Sequence, residues 1–205
     1  MAEQLLIADG GKTEKYQLLC EQIKALVDVE SDIIANMANI SSMIHETFAL
    51  LWTGFYRVVG EELVLGPFQG PLACTRIRRG KGVCGTAWTE RRTLVVADVE
   101  AFPGHIACSS LSKSEIVVPL FAGDEVIGVL DIDSAELSTF DEIDAHWLEK
   151  IVGMLAAHRP EIKSHLGEIE VACRFLIKKD ENFSCLKLLI DRVIGWSVTN
   201  GLKII

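Results

Sequence analysis

Three cysteines, Cys74, Cys84 and Cys108, fall within one stretch of the chain, followed by Glu115 and then by VIGVLDIDS, which carries Asp131 and Asp133. A cysteine attacks as its thiolate, so a reactive one needs a lowered pKa, and a second thiol within reach if a disulfide is to close. Residues two apart in a strand face the same side. Asp131 and Asp133 would therefore project together, and two like charges on one sheet face are costly unless a cation compensates them. The pair reads as a seat for a substrate ammonium group or a metal; the plainer reading is a strand end fraying before Ser134. Glu115 opens EIVVPLF, beside the aspartate strand if the two form a hairpin. A half-buried carboxyl there has a raised pKa and can donate a proton near neutral pH. Upstream, Trp52 and Tyr56 are four apart in LWTGFYRVV and face one side together with Gly54. Two aromatics flanking a glycine make an apolar slot that attracts thioether sulfur and polarised methyl groups, although core packing is the commoner fate of such rings. Taken together, these residues point to redox chemistry on a small cationic substrate.

Composition narrows the setting. The chain has 205 residues, 49% of them hydrophobic and 24% charged, which describes a compact fold and not a disordered one. The net charge of −9 disfavours nucleic acid and anionic membrane as partners, because phosphate binding needs a basic field. Arg76, Arg78, Arg79 and Lys81 form a local exception. They read as a solvated loop face, or as a positive edge that holds a neighbouring cysteine as its thiolate. No apolar run reaches the length of a membrane span and MAEQLLIADG lacks a basic leader, so a cytoplasmic location with mostly reduced thiols is expected. No C-x-x-C occurs, and no cysteine has a histidine at zinc-finger spacing, so neither a structural metal nor a cofactor is expected.

The elements that must position these residues are legible from periodicity. Residues 13–27 and 31–48 read as helices, the second with Ser31 as N-cap. LLWTGFYRVV and ELVLGPF form a hairpin about Gly60-Glu61, and 66–85 reads as a loop rich in glycine and proline. GVCGTAWTE opens a short helix, TLVVADV is a strand, and AFPGHIACSSLSK is a loop. EIVVPLF and EVIGVLDIDS make a second hairpin about Ala122-Gly123-Asp124. FDEIDAHWLEKIVGMLAAHR closes the unit as an amphipathic helix with Phe140, Ile143, Trp147, Ile151 and Met154 on one face. The expected architecture is α+β, an antiparallel sheet with terminal helices on one face and pocket-forming loops on the other. The domain spans 13–158, followed by an extension, 160–205, of unknown role.

The order WTGFY, LACTRIRRGKGVCGTAW, HIACSSLSKSEIVVPL and GVLDIDS closely resembles the free methionine-(R)-sulfoxide reductases, a cytosolic family built on the GAF fold. The resemblance covers about Tyr16 to Leu155 and rests on the joint spacing of cysteines, glutamate and aspartate pair. It implies a single GAF domain in which Cys108 is the nucleophile and Glu115 the acid that protonates the sulfoxide oxygen. It also implies that Asp131 and Asp133 anchor the substrate amino group and that Trp52 and Tyr56 hold the S-methyl group. Cys74 or Cys84 would then attack the sulfenic acid, with Cys74 preferred as first partner, and a thioredoxin-like protein would restore the thiols. Backbone amides of 82–84 are expected to receive the substrate carboxylate, and a homodimer is expected. The competing readings are a GAF module that senses a small ligand, and a thiol redox switch without turnover.

Overall fold

The computed structural model describes residues 4–104 and 109–157. The chain divides into two compact units, Met1–Arg159 and Pro160–Ile205. The second unit, which holds the expected extension, lies outside the described residues, as do His105 and Cys108.

Two helices come first, α1 (Lys12–Val27) and α2 (Ile33–Phe48). Asp32, not Ser31, caps α2, its carboxylate accepting from the amides of Ile34 and Ala35 at 2.8 Å. A carboxylate caps better here because it also meets the positive end of the helix dipole. The helix ends where Ala49 turns left-handed, at φ 51°. There follow β1 (Trp52–Val59), β2 (Glu62–Gln69), β3 (Arg76–Arg78), α3 (Gly82–Glu90), β4 (Leu94–Val96), a short 3-10 turn (Val99–Ala101), β5 (Ser114–Ala122), β6 (Glu125–Ser134) and α4 (Glu142–Ala157).

The strands form one six-stranded sheet in the order β3-β2-β1-β6-β5-β4, every neighbouring pair antiparallel. Both expected hairpins are present. The expected loop over 66–85 gives way at its start and in its interior, because β2 runs on through Gly66 and Pro67 to Gln69 and Arg76–Arg78 forms a strand. Pro67 is tolerated because β3 pairs β2 only across Glu62 to Val64, so the proline interrupts no ladder on that side. Gly66 is small for a reason of its own, since a Cβ there would lie 2.8 Å from the carbonyl oxygen of Phe55.

Alternation along the strands sorts side chains onto two faces. Phe55, Ile116, Val118, Leu120, Leu130 and Ile132 pack against α1, α2 and α4 in one core. Trp52, Tyr56, Val117 and Val129 project the other way, against α3 and the loops, in a second core. A polar clasp closes the helical layer: Lys12 at the start of α1 pairs with Asp141 and the buried Asp144, and the Tyr16 hydroxyl donates to Asp144 at 2.9 Å. That clasp explains the one misplaced helical face. The buried stripe of α4 is Asp144, Leu148, Ile151, Val152 and Leu155, while Ile143 is 43% exposed and Trp147 and Met154 sit at the margin. Periodicity assigns a carboxylate to solvent, whereas Asp144 is buried because Lys12 and Tyr16 satisfy it.

Candidate active site

Register brings the chemistry together before any side chain is considered. Across β6, Asp131 lies opposite Gly54 of β1 and Val117 of β5, and Asp133 lies opposite Trp52 and Glu115. Directly opposed residues share a face, so Asp131, Asp133, Glu115, Trp52 and Tyr56 all lie on the side away from the helical core. The first turn of α3 brings Cys84 to the same place, and these six residues line one pocket with Lys81, Gly82, Val83 and Ser112. Strand β6 does not fray at the aspartates: Ser134 beyond them is buried and its hydroxyl engages Thr139 and the amide of Glu136.

The aromatic wall differs from the slot expected around Gly54. A Cβ on Gly54 would stand 2.4 Å from Cβ of Phe68 and 2.5 Å from Cη2 of Trp52, so the space above the glycine is taken by those two side chains. Trp52 is stacked between its neighbours, with ring centroids 5.4 Å from Phe68 and 5.9 Å from Tyr56. Its Nε1 donates to the carbonyl of Pro71 at 3.2 Å, and the Tyr56 hydroxyl donates to the carbonyl of Cys74 at 3.0 Å. Glycine is thus what lets the indole lie flat along the strand. Gly54→Ala is expected to cost about 1–3 kcal/mol in denaturant unfolding and to shift near-ultraviolet circular dichroism as the indole is displaced.

Glu115 and Asp131 are 6% and 7% exposed. Burial first, and then the Asp131 charge, raises the Glu115 pKa well above the ordinary carboxylate value. Asp131 is also raised well above its usual value, by burial and then by Asp133, against hydrogen bonds to its carboxyl from Cys84, Glu115 and the Ile132 backbone; its Oδ1 is shielded without a partner among the described residues. Asp133 is pushed up to about 6 by burial, against a hydrogen bond from Ser112 that favours its charged form. Ser112 is a polar contributor that the sequence does not disclose. Nothing in SLSKSE marks its hydroxyl, which reaches Asp133 only because the backbone turns into β5 there.

The thiols divide. Cys84 is free and buried, with Sγ 3.9 Å from Oε1 of Glu115. Burial, followed by the charges of Asp131 and Glu115, raises its pKa well above the ordinary thiol value. The arginines therefore do not hold this cysteine as a thiolate: Arg76 pairs with Glu62 at 2.9 Å and Arg79 lies over the Trp88 ring at 5.0 Å. Cys74 is disulfide-bonded, while Cys20 and Cys84 are free, so its bond is to neither of those.

Crowded buried carboxyls make a testable stability signature. The raised Asp133 pKa, about 6 against 3.8, means that the folded state keeps its proton where the unfolded chain has lost it. Asp133 thus lowers stability progressively as pH rises from about 4 to about 6. Asp133→Asn should remove that loss, so the excess of its Tm over that of the parent protein grows between pH 4 and pH 7 in calorimetry. An excess that stays constant with pH would show that the carboxyl titrates alike in both states.

A buried acid beside a thiol, a shielded carboxyl oxygen and an aromatic wall thus share one pocket on this face of the sheet. The family model described as GAF domain matches residues 33–158. GAF domain-containing protein A of Dictyostelium discoideum is 58% identical over 156 residues, covering 76% of this chain and 99% of that protein. The free methionine-R-sulfoxide reductase of Escherichia coli is 44% identical over 145 residues, covering 70% of this chain and 88% of that one. Among solved structures, the free methionine-R-sulfoxide reductase of Neisseria meningitidis in complex with its substrate superposes with a TM-score of 0.74 at 50% identity, covering 76% of this chain and 94% of that one. The chain belongs to the GAF domain family and, within it, to the free methionine-R-sulfoxide reductases, which are oxidoreductases. Among the described residues, no helix is long and apolar enough to cross a membrane.

Proposed function

We propose that the protein reduces free L-methionine-(R)-sulfoxide to L-methionine in the pocket beneath Trp52. One arrangement carries the reading: Asp131, whose shielded Oδ1 has no donor among the described residues, lines the same pocket as Glu115, a carboxyl whose pKa burial raises well above the ordinary value. The first suits a substrate ammonium group, which a peptide-bound methionine lacks. The second suits a proton donor to the sulfoxide oxygen.

Cys108 attacks the sulfoxide sulfur, Glu115 protonates the oxygen, and the oxygen leaves the substrate as Cys108 becomes a sulfenic acid. Substrate sulfur gains two electrons and Cys108 loses them. Cys74 then attacks the sulfenic acid, releasing water and forming a disulfide. Its bonded state, and the raised pKa of Cys84, support Cys74 as the resolving partner. A thioredoxin-like dithiol in a reducing cytoplasm returns both thiols. Asp133 assists Asp131 with the ammonium group, Trp52 and Tyr56 meet the S-methyl group, and the amides at the start of α3 take the carboxylate. The domain over 13–158 acts as a homodimer, with 160–205 as an appended segment.

The test is loss of free L-methionine-(R)-sulfoxide with dithiothreitol as reductant. The (S)-epimer and the N-acetylated (R)-epimer serve as controls, with Cys108→Ser as blank. Turnover confined to the free (R)-epimer and absent from the variant is the expected result. Fully reduced protein without turnover would favour a ligand-binding sensor instead.

A further inference from the structure

Cys84, Glu115 and Asp131 present a sulfur and two carboxylate oxygens within 4.8 Å of one another, all three residues buried. Cys84 Sγ and Glu115 Oε1 are 3.9 Å apart. Around a tetrahedral zinc ion, a thiolate at about 2.3 Å and a carboxylate oxygen at about 2.0 Å stand roughly 3.5 Å from each other. Small side-chain rotations would therefore close the trio on one ion.

A cluster of acids alone would mean little, but a separate observation points to a ligand. Asp131 is 7% exposed and lines the pocket; its carboxyl engages Cys84 and Glu115, yet its Oδ1 is left with no donor among the described residues. Shielding a carboxylate oxygen from water without replacing its hydrogen bonds is unfavourable, and a cation removes the penalty. The neighbouring charges that oppose ionisation of this group would all be offset by the same dication.

We propose that the fully reduced protein binds one thiophilic divalent cation of the Zn²⁺ class through Cys84 Sγ and one carboxylate oxygen each of Glu115 and Asp131, with water in the fourth position. Binding releases the protons of Cys84 and Glu115, with any proton held by Asp131, to solvent and forms a metal–thiolate bond; no electrons move. One sulfur among oxygens selects zinc or cadmium over magnesium or calcium, which gain nothing from thiolate. The cation takes the oxygen assigned above to the substrate ammonium group, so metal and substrate exclude each other. That last consequence rests on the sulfoxide reading, whereas metal binding itself does not.

The experiment uses the full chain, reduced with a phosphine, stripped with a chelator and titrated with Zn²⁺ against a chromogenic chelator. A parallel Cd²⁺ titration reads the ultraviolet thiolate-to-metal charge-transfer band. One ion per chain is expected in the parent protein and in Cys20→Ser and Cys74→Ser. Cys84→Ser should lose the charge-transfer band, and Asp131→Asn and Glu115→Gln should keep it while binding at least about tenfold more weakly. A parent protein that binds no ion, or a Cys84→Ser variant that keeps both band and affinity, overturns the site. Circular dichroism of the near-isosteric Asp131→Asn variant separates a lost ligand from a lost fold. With the sulfoxide as varied substrate, Zn²⁺ should raise KM and leave kcat unchanged. Binding without competition would overturn the exclusion and the placement of the ammonium group, and leave the metal site standing.

Discussion

Replacing Glu115 with glutamine is expected to lower kcat for sulfoxide reduction by about 10²–10⁴-fold while KM changes little. Glutamine keeps the shape and the burial but has no proton to give, and the oxygen of a sulfoxide is a poor leaving group until it is protonated. Position favours this carboxyl over its neighbours. It lies opposite Asp133 across the strand pair, 3.9 Å from the Cys84 sulfur, and is shielded enough to stay protonated well above the ordinary carboxylate range. The pH profile carries a second signature. Catalysis by the protonated acid declines as pH rises through the raised pKa, so the parent enzyme should show an alkaline fall in kcat that the variant lacks. A variant retaining more than about a third of the parent kcat would remove Glu115 from the proton-transfer role.

Asp131→Asn should act on the other parameter. An ionic hydrogen bond in a shielded site is worth about 1.5–3 kcal/mol, so KM for the free amino acid is expected to rise about 10- to 150-fold with kcat nearly preserved. The ammonium group is as charged in the ground state as in the transition state, and its loss therefore weakens both alike. The same variant should narrow the preference for the free over the N-acetylated substrate, because discrimination depends on the charge being met. Steady-state kinetics on both substrates checks this. Equal falls in kcat and kcat/KM would instead mean that Asp131 acts on the reacting sulfur.

The two predictions rest on residues whose meeting the sequence partly disclosed. Alternation in VIGVLDIDS put both aspartates on one face, and the hairpin about Gly123 put Glu115 beside them, because strand register follows directly from a period of two and a short turn. Hidden from the sequence was the packing above the strand. Gly54 looked like an opening, yet Trp52 and Phe68 occupy it, since no pattern in a single strand reveals which neighbour folds over it. Likewise, the arginines near Cys84 suggested a stabilised thiolate. The fold turns Arg76 toward Glu62 and Arg79 toward Trp88, and leaves acids beside the sulfur. Strand β3 was missed because three residues among glycines and prolines give too little alternation to read. In α4, the buried Asp144 broke the apolar stripe that periodicity seeks, and its partner Lys12 lies more than a hundred residues away in the chain.

The separation of the sheet's two faces also bears on how such a protein can change over generations. Phe55 and Tyr56 are adjacent, yet one belongs to the core that holds α1, α2 and α4 and the other to the pocket wall. Substitutions on the pocket side fall on the second core and leave the helical layer's own contacts in place, so drift there reshapes the ligand site while the first core goes on holding α1, α2 and α4. Scaffold and chemistry are thereby placed under separate selection, residue by alternate residue, along the same strands.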